Sequence, residues 1–586
     1  MIPVTKKYDP GSFTFVEPRS TVEAHLADGR VISGPRGASA GDFLRLLKDE
    51  NPAPIVGALV NGELRELTYP ILSDASIGPV TMAQADGMLI YRRSLTFLLD
   101  AAFEELFPDA TLTVDHSVAS GGYYCEVKDH PPLTIGELGD LEDHMRALVD
   151  ADQPFSKREV PLAEAIAYFK AKGYEDKVHL LAHRSKDYLT LYRLGDHQDY
   201  HHGYMVPSTG YLRWFSLIPT NGGFTLRFPR RHKPTELLPL PEYPKLLATF
   251  RQYGQWLDRL GIGDVGALDD AILAGRIHEI ILVSEALHEQ NVSELASQIT
   301  NRKPQARIIL ISGPSSSGKT TLAKRLMIQL LSQGISPYSL EMDNYFIDRE
   351  DTPVGEDGKP DFEALRALDT KALNRDLKLL IAGEQVPMPR YNFRTGHSEP
   401  GEVVKLEPGQ VIILEGIHGL NPELLPDIPV EQTFRIYASA LTQLNLDRQN
   451  RISTTDTRLV RRIVRDARER GYSARDTIER WESVRRGEKR NIFPYQENAD
   501  VMFNSALAYE LAVLKPLAEP LLRQVPYGSP EFVEAKRLLA LLEWFRPAVT
   551  DLIPENSILR EFIGGSILRE FHVWHSPGNN KYDHAK

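Results

Sequence analysis

Short apolar runs alternate with turn residues over the first ninety positions. APIVGALVNGELREL and GMLIYRRS are strand-like, DFLRLLKDE has helical spacing, and Gly and Asp-Gly steps separate them. This pattern is typical of a small sheet with one helix packed on it. It predicts an α+β module of ubiquitin-like size over residues 1–90.

A second α+β domain is predicted over residues 91–235. LTFLLDAAFEELF has helical spacing, and GGYYCEV and KVHLLAHRSKDYLTLYRL are strand-like. The Pro-rich basic connector PRRHKPTELLPLPEYPKL then leads to the helical stretches LLATFRQYGQWLDRL and HEIILVSEALHEQNVSELASQIT. These stretches predict a helical linker over residues 236–304.

Strand, turn and helix alternate from residue 305 onward. The strands ARIILISG, SPYSLEMD, QVIILEG and TFRIYAS, with the helix TLAKRLMIQLL, are typical of an α/β parallel sheet. This pattern predicts an α/β domain over residues 305–525. PEFVEAKRLLALLEWF predicts a helical extension within residues 526–586. The predicted fold class is therefore multidomain, α+β in the front half and α/β in the back half.

Composition narrows the class of protein. The chain has 586 residues, a formal net charge of −12 and 42% hydrophobic residues, as expected of several globular domains. The negative charge argues against sequence-independent coating of nucleic acid. Cys125 is the only cysteine, MIPVTKKYDPGSF lacks the apolar core of a secretory signal, and no run of 18 apolar residues occurs. We expect a cytoplasmic protein with no membrane partner.

The segment GPSSSGKT satisfies the phosphate-loop pattern G-x-x-x-x-G-K-[ST] between a strand and a helix. Its backbone N–H groups can surround phosphates, Lys319 can reach the β and γ oxygens, and the Thr320 hydroxyl can hold Mg²⁺. ATP and Mg²⁺ are therefore the predicted cofactors. The loop residues predicted to hold the nucleotide are Gly313, Pro314, Ser315, Ser316, Ser317, Gly318, Lys319, Thr320 and Thr321.

Two carboxylates follow strands of the predicted sheet. Asp343 comes just after SLEM, and Glu415 ends VIILE. At the carboxyl end of a parallel sheet, Asp343 could accept the proton of an attacking hydroxyl or hold the metal, and Glu415 could serve the metal or its water. A helix cap or a solvated turn residue is the alternative for each of them.

The stretch DTRLVRRIVRDARERGYS places several arginines at helical spacing. Arg458, Arg461 and Arg465 share one helical face. Such arginines can close over phosphates and stabilise charge on the transferring group. The alternative is a solvated helix on which Asp466 and Glu469 balance the arginines.

Residues from about 305 to 510 resemble the uridine and cytidine kinases, within the wider phosphoribulokinase and uridine kinase group. The motifs are GPSSSGKTT, MDNYF, DFEALRALD, PRYNF, LEGI and DTRLVRRIVRD, in that order. The resemblance implies that Asp343, Lys319 and Arg461 are catalytic, that Arg465 binds the nucleotide, and that Thr320, Glu415 and Asp343 serve the metal. The implied substrate-binding residues are Phe362, Glu363, Tyr391, Phe393, His397 and Arg458.

Two positions depart from this family. Glu363 stands where the family usually has Asp for the ribose diol, and Gly396 stands where the family has a histidine, with His397 one residue further on. The expected reaction is transfer of the ATP γ-phosphoryl group to the 5′-hydroxyl of uridine or cytidine. A kinase for a sugar phosphate or another small alcohol, and an ATP-dependent RNA-linked regulator, are the alternatives.

The front half resembles the N-terminal part of threonyl-tRNA synthetases, with a TGS domain followed by an editing-type domain. The four editing positions fall on Arg93, Phe97, His201 and Met205, and none keeps its family residue. We expect a retained fold with a dismantled site, and we expect the neighbouring histidines to lie at the surface. A regulatory ligand, an RNA element, and a scaffold or dimer interface are the open alternatives for its role.

Overall fold

The computed structural model describes residues 14–15, 17–118, 121–239, 241–302, 305–355, 358 and 360–573. Each of the five predicted domains has residues outside the described ranges, at positions 1–13, 16, 119–120, 240, 303–304, 356–357, 359 and 574–586, and the whole segment MIPVTKKYDPGSF is among them. In the described ranges no helix is both long enough and apolar enough to cross a bilayer.

The first sheet lies between residues 21 and 81. Its elements are β1 Thr21–His25, β2 Val31–Pro35, α1 Ala40–Leu44, β3 Ile55–Val60, β4 Glu63–Arg65 and β5 Ala75–Thr81. The strand order is β2-β1-β5-β3-β4, in which only β1 and β5 are parallel. A reciprocal cap between Ser39 and Asp42 starts α1, and the chain continues as the 3-10 helix Arg45–Glu50.

The second region contains two antiparallel sheets, with strand orders β11-β12-β7-β6 and β10-β9-β8. Its elements are α2 Ala85–Leu106, β6 Thr111–Val118, β7 Gly122–Lys128, α3 Ile135–Asp150, β8 Ser156–Pro161, α4 Leu162–Ala171, α5 Glu175–Ala182, β9 Tyr188–Leu194, β10 His197–Asp199, β11 Ser216–Thr220 and β12 Gly223–Arg227. Most of α2 is buried in the core of this region.

Two segments predicted as strands are helical. GMLIYRRS belongs to α2, which continues across the predicted boundary at residue 90 because no turn residue interrupts its apolar spacing. KVHLLA forms α5, where Glu175 and Asp176 occupy the first turn and Leu180 and Leu181 are buried. A short apolar run fits either period, so its pattern alone did not decide between helix and strand.

Three helices connect the front and back halves. They are α6 Pro244–Leu260, α7 Val265–Leu273 and α8 Ile277–Asn301. The left-handed Gly261 (φ 72°) ends α6, and the side chain of Asp264 caps α7. α8 packs against the first helix of the back half, so the linker forms part of the folded body.

The back half is built on a parallel sheet with strand order β14-β17-β13-β18-β19. Its elements are β13 Ile308–Ser312, α9 Lys319–Ser332, β14 Pro337–Glu341, α10 Thr370–Ile381, β15 Val386–Asn392, β16 His397–Val404, β17 Val411–Glu415, β18 Thr433–Ser439, α11 Thr454–Arg470, α12 Ala474–Asn491, β19 Val501–Asn504 and α13 Glu510–Leu522. β15 and β16 form a separate antiparallel hairpin. The helices α14 Phe532–Leu542 and α15 Arg560–Ile563 follow.

The parallel sheet explains the continuous apolar runs in the sequence. Every residue of β13 and of β18 is buried, because such strands are covered on both faces. The carboxyl ends of the strands meet at one edge, where ligands bind in open α/β sheets. The predicted multidomain fold class is confirmed; β19 and the β15–β16 hairpin were not predicted.

The segment 440–452, which connects β18 to α11, is embedded in the front half. The backbone N–H of Val114 donates to the carbonyl of Arg448 at 2.8 Å, and the guanidinium of Arg448 pairs with Asp176 at 2.6 Å. The side-chain amide of Gln443 donates to Asp115 at 3.0 Å. The front half therefore holds the chain just before α11 through backbone and side-chain contacts.

A buried ammonium lies at the centre of this contact. Lys177 is 3.0 Å from Asp199 and 3.3 Å from Asp447, and the three side chains are 0% exposed. Asp447 also accepts hydrogen bonds from the Tyr200 hydroxyl and from the side-chain amide of Asn450. Since Lys177 and Asp199 belong to the front half and Asp447 to the back half, this cluster joins the two.

We predict that Lys177→Met lowers the midpoint of thermal unfolding by several degrees. Removing one partner leaves uncompensated buried carboxylates, which costs about 3–5 kcal/mol. The matched control is Lys378→Met, which removes the exposed pair with Asp427 and should have little effect. Differential scanning calorimetry on the three proteins measures the shifts, and equal midpoints for the two variants would contradict the prediction.

Candidate active site

The phosphate loop lies between β13 and α9, at the carboxyl edge of the parallel sheet. Gly318 is left-handed (φ 81°), and α9 begins at Lys319. A Cβ atom at Gly313 would lie 1.9 Å from the carbonyl oxygen of Ala438, so only glycine fits there. The amide groups at the start of α9 and the helix dipole make this edge suited to bind phosphate.

Thr320 and Glu415 come together beside the phosphate loop. The Thr320 hydroxyl donates to the Glu415 carboxylate at 2.9 Å, because β17 ends next to β13 in the sheet. Burial raises the pKa of Glu415 to about 7, while the positive charge of Lys319 opposes this shift. A hydroxyl and a carboxylate are hard oxygen donors of the kind that Mg²⁺ prefers, so these residues fit the predicted metal.

Asp343 lies in the 3-10 helix Met342–Tyr345, directly after β14. Loss of hydration and the nearby Glu341 raise the pKa of Asp343, and Lys319 lowers it. The charge of Lys319 therefore acts on both Asp343 and Glu415. The structure brings these three predicted residues together.

A cluster of aromatic rings adjoins Asp343. The ring of Phe346 lies 5.5 Å from the rings of Phe362 and Tyr391 and 6.2 Å from that of Phe393. The three predicted aromatic residues are thus assembled around Phe346, which the sequence analysis did not single out. The sequence indicates its role only through its place in the motif MDNYF, three residues after Asp343.

Glu363 lies between the aromatic cluster and α12. Burial and the nearby Glu488 raise the pKa of Glu363 to about 7, although the positive charges of Lys319 and Arg462 oppose this shift. The side-chain amide of Asn491 donates to the backbone carbonyl of Glu363 and fixes this turn. Glu363 is thus a carboxyl group within the electrostatic reach of Lys319.

His397 does not join the aromatic cluster. It begins β16, is exposed, and pairs with Asp348 at 3.2 Å. The Tyr391 hydroxyl donates instead to the carbonyl of Gly396 at 3.3 Å. The one-residue displacement seen in the sequence therefore leaves this histidine on the hairpin surface.

Two of the three predicted arginines on α11, Arg458 and Arg461, are buried beneath the phosphate loop. Arg458 pairs with Glu488 at 2.5 Å and donates to the carbonyl of Ser315 at 2.9 Å. Arg461 pairs with Glu510 at 2.5 Å and reaches the carbonyl of Ser316 at 3.4 Å. The alternative of a solvated helix is therefore wrong for this face of α11.

Arg462 and Arg465 have different surroundings. Arg462 donates to the hydroxyl of Ser315 at 2.8 Å, whereas Arg465 pairs with Asp466 at 3.1 Å. In the described part of the chain, no hydrogen bond joins Arg465 to the phosphate loop. Arg462 was not among the predicted site residues, although it lies in the same arginine-rich stretch.

Glu488 is a second residue that the sequence analysis missed. Its carboxylate accepts from the backbone N–H of Ser315 at 3.0 Å and is held by Arg458 and by Arg485 at 2.7 Å. In the sequence it belongs to the charge run RRGEKR, which is typical of a solvated face. The structure instead makes it an anion bound to the phosphate loop.

The C-terminal extension contacts the same loop from the other side. The Thr321 hydroxyl donates to Glu561 at 2.8 Å. A Cβ atom at Gly318 would lie 2.9 Å from the side chain of Ile558. The extension therefore packs directly against the start of α9.

The back half matches a known family. Residues 308–511 match the family model described as Phosphoribulokinase / Uridine kinase family. This segment is a domain of that family. A solved structure described as a possible uridine kinase from Bacillus stearothermophilus is 23% identical, with a TM-score of 0.23, and covers 37% of this chain and 98% of its own. For D-glycerate 3-kinase from Cryptococcus neoformans the identity is 18%, the TM-score 0.20, and the coverage 45% and 89%.

The front half matches threonine–tRNA ligases. The enzyme of Geobacter sp. (strain M21) is 32% identical over 203 residues, which are 35% of this chain and 32% of that protein. The enzyme of Polaromonas naphthalenivorans (strain CJ2) is 34% identical over 170 residues, or 29% and 27% of the two chains. The chain thus spans about a third of the length of these curated relatives.

Three of the four positions that the synthetase resemblance singles out are buried, namely Phe97, His201 and Met205. Phe97 and Met205 are buried in the core, and the Phe97 ring lies 5.4 Å from that of His201. His201 is itself buried, and burial holds its pKa well below the usual value, so it is neutral. The expectation that the adjacent histidines lie at the surface was wrong for His201, which is buried because the chain after β10 folds inward against α2, whereas His202 is half-buried.

We predict that Glu415→Gln stabilises the protein at pH 8 more than at pH 5. The raised pKa means that the folded protein binds more protons than the unfolded chain between about pH 4.5 and 7, so stability falls as the pH rises through this window. The amide side chain of the variant does not titrate, so the variant does not lose stability in this pH window. Thermal unfolding midpoints at both pH values test it, with the exposed Glu402→Gln as the control. A constant difference between Glu415→Gln and wild type would contradict the prediction.

Proposed function

We propose that the protein is an ATP-dependent kinase that phosphorylates the 5′-hydroxyl of a pyrimidine nucleoside, uridine or cytidine. The observation that carries this proposal is one edge of the parallel sheet, where the phosphate loop, the Glu415 carboxylate 2.9 Å from the Thr320 hydroxyl, and Asp343 directly after β14 lie beside the aromatic cluster. A loop that only switched on nucleotide binding would not need this set of carboxylates beside an aromatic pocket. The family match supports a phosphotransferase in general.

Each side chain has a role that follows from its position. Asp343 would accept the proton of the attacking hydroxyl, since its raised pKa makes it a better base than an ordinary carboxylate. Lys319 would stabilise charge on the transferring phosphoryl group. Thr320 and Glu415 would hold Mg²⁺, which supplies charge neutralisation between the phosphates when it is bound. Catalysis of this kind relies on positioning and electrostatics.

The acceptor would bind against the aromatic cluster. Phe346, Phe362, Tyr391 and Phe393 provide flat apolar surfaces suited to a pyrimidine base. Glu363 lies at the edge of this surface, where its carboxyl group can accept hydrogen bonds from the ribose hydroxyls. The exposed position of His397 leaves base selection to other groups.

We further propose that the front half is a regulatory or recognition module and that the protein works in the cytoplasm. The support for a regulatory role is that the front half contacts the segment 440–452 immediately before α11, the helix that carries the loop-facing arginines. A ligand or RNA element bound to the front half would act through this contact.

Asp343→Asn should reduce the rate of phosphoryl transfer by about 10²–10⁴-fold while ATP binding is retained, because only the proton acceptor is lost. The measurement is formation of nucleoside monophosphate from ATP, Mg²⁺ and uridine, cytidine, purine nucleosides or ribulose 5-phosphate. Asp351→Asn, an exposed carboxylate in the following segment, is the matched control. If the wild type phosphorylates only ribulose 5-phosphate, the nucleoside assignment is wrong; if it binds ATP and phosphorylates no acceptor, the kinase assignment fails.

Glu363→Gln should raise KM for uridine more than KM for 2′-deoxyuridine. An amide accepts fewer hydrogen bonds than a carboxylate, and only the ribose form presents both hydroxyls. Steady-state kinetics with the two nucleosides measure the ratio. The exposed Glu399→Gln is the control, and an equal change in KM for both nucleosides would remove Glu363 from the ribose site.

A further inference from the structure

A cavity of about 350 Å³ lies between the second region and the C-terminal extension. One wall comes from α2 and from the chain around β9 and β10, and the opposite wall comes from α14 and Trp544. The volume falls in the range of small-molecule sites, which often lie where domains meet. The cavity is separate from the phosphate loop, since none of its lining residues belongs to that loop.

Two of the arginines that line the cavity have no acidic partner among the described residues. Most lining cations have a carboxylate partner; these pairs are Lys157 with Glu66, Lys186 with Glu543, Lys536 with Glu63, and Arg537 with Asp456 and Glu534. Arg93 and Arg184, in contrast, have no carboxylate of a described residue within 4.0 Å. Asp86 is the one lining carboxylate without an ion pair among the described residues.

Arg93 is held in place by the backbone and not by an acid. Its guanidinium donates to the carbonyl of Tyr204 at 2.6 Å. It lies so close to Gly203 (φ 121°) that a Cβ atom there would be 2.5 Å from it. The guanidinium has five N–H donors, so donors remain for a carboxylate or phosphate in the fork geometry that arginine favours.

The rest of the lining combines polar and aliphatic side chains. His201 is 7% exposed, lines the cavity, and its Nε2 atom has no hydrogen-bond partner in the described part of the chain. The aliphatic lining residues are Leu64, Leu89, Ile90, Leu189, Val533 and Ala540. An unpartnered buried nitrogen costs stability unless a ligand satisfies it.

We propose that this cavity binds a small organic anion with an apolar body. Its acidic group pairs with Arg93, and its apolar part contacts the aliphatic wall between α2 and α14. A carboxylic acid and a phosphate monoester share this chemistry. The proposal is independent of the kinase assignment, because no residue of the phosphate loop or of the aromatic cluster takes part.

Isothermal titration of the full chain with 4-phenylbutyrate tests the site, and a carboxylate probe avoids binding to the phosphate loop. The wild type should bind it saturably, and Arg93→Gln should bind about tenfold or more weakly, because a charge-assisted pair is lost. Arg213→Gln, an exposed arginine outside the cavity, should bind like the wild type. Benzyl alcohol, which lacks the charge, and inorganic phosphate, which lacks the apolar body, should bind about tenfold more weakly than 4-phenylbutyrate.

A second variant tests the opposite wall, in case Arg93→Gln fails to fold. Ala540→Phe fills the cavity from α14 and should abolish binding while the thermal midpoint stays near that of the wild type. Phenyl phosphate, titrated in parallel, shows whether a phosphate or a carboxylate is the preferred acidic group. The proposal is overturned if the wild type shows no saturable binding of either anion, or if Ala540→Phe binds 4-phenylbutyrate as the wild type does.

Discussion

The ion cluster of Lys177, Asp199 and Asp447 is the constraint on which the arrangement of the chain depends. A buried ammonium is costly unless carboxylates surround it, and the two carboxylates come from different halves of the chain. Neither half can present this cluster to water without leaving charges unpaired or exposing the apolar groups around it. The pair of halves therefore behaves as one folded body with a polar centre at its joint.

This joint has a consequence for the phosphate loop. Asp447 lies in the segment that leads into α11, and α11 carries the arginines that reach the loop carbonyls. Arg458 and Arg461 are each tied to a buried carboxylate, so α11 cannot move far without breaking strong ion pairs. The position of the loop-facing arginines is thus set from two sides, by the front half and by the packing of the back half.

The sequence predicted those parts of the protein that follow from local patterns. Periodicity identified the parallel sheet, and spacing placed Lys319, Asp343 and Glu415 at one edge of it, as the structure shows. It did not identify Glu488, because a carboxylate in a charge run looks solvated until its partners Arg458 and Arg485 are placed beside it. Burial that arises from contacts distant in sequence leaves no pattern in the neighbouring residues. For the same reason, the sequence predicted a surface position for the adjacent histidines after β10.

The cavity beside Arg93 shows how such long-range contacts create sites. Some of its lining residues lie more than 400 positions apart in the sequence. One lining residue, Arg537, also pairs with Asp456 in the first turn of α11. The guanidinium of Arg537 therefore faces the cavity while it holds the start of the helix that carries Arg458 and Arg461. An anion paired with Arg93 would add negative charge near this guanidinium and would act against its pair with Asp456 in the first turn of α11.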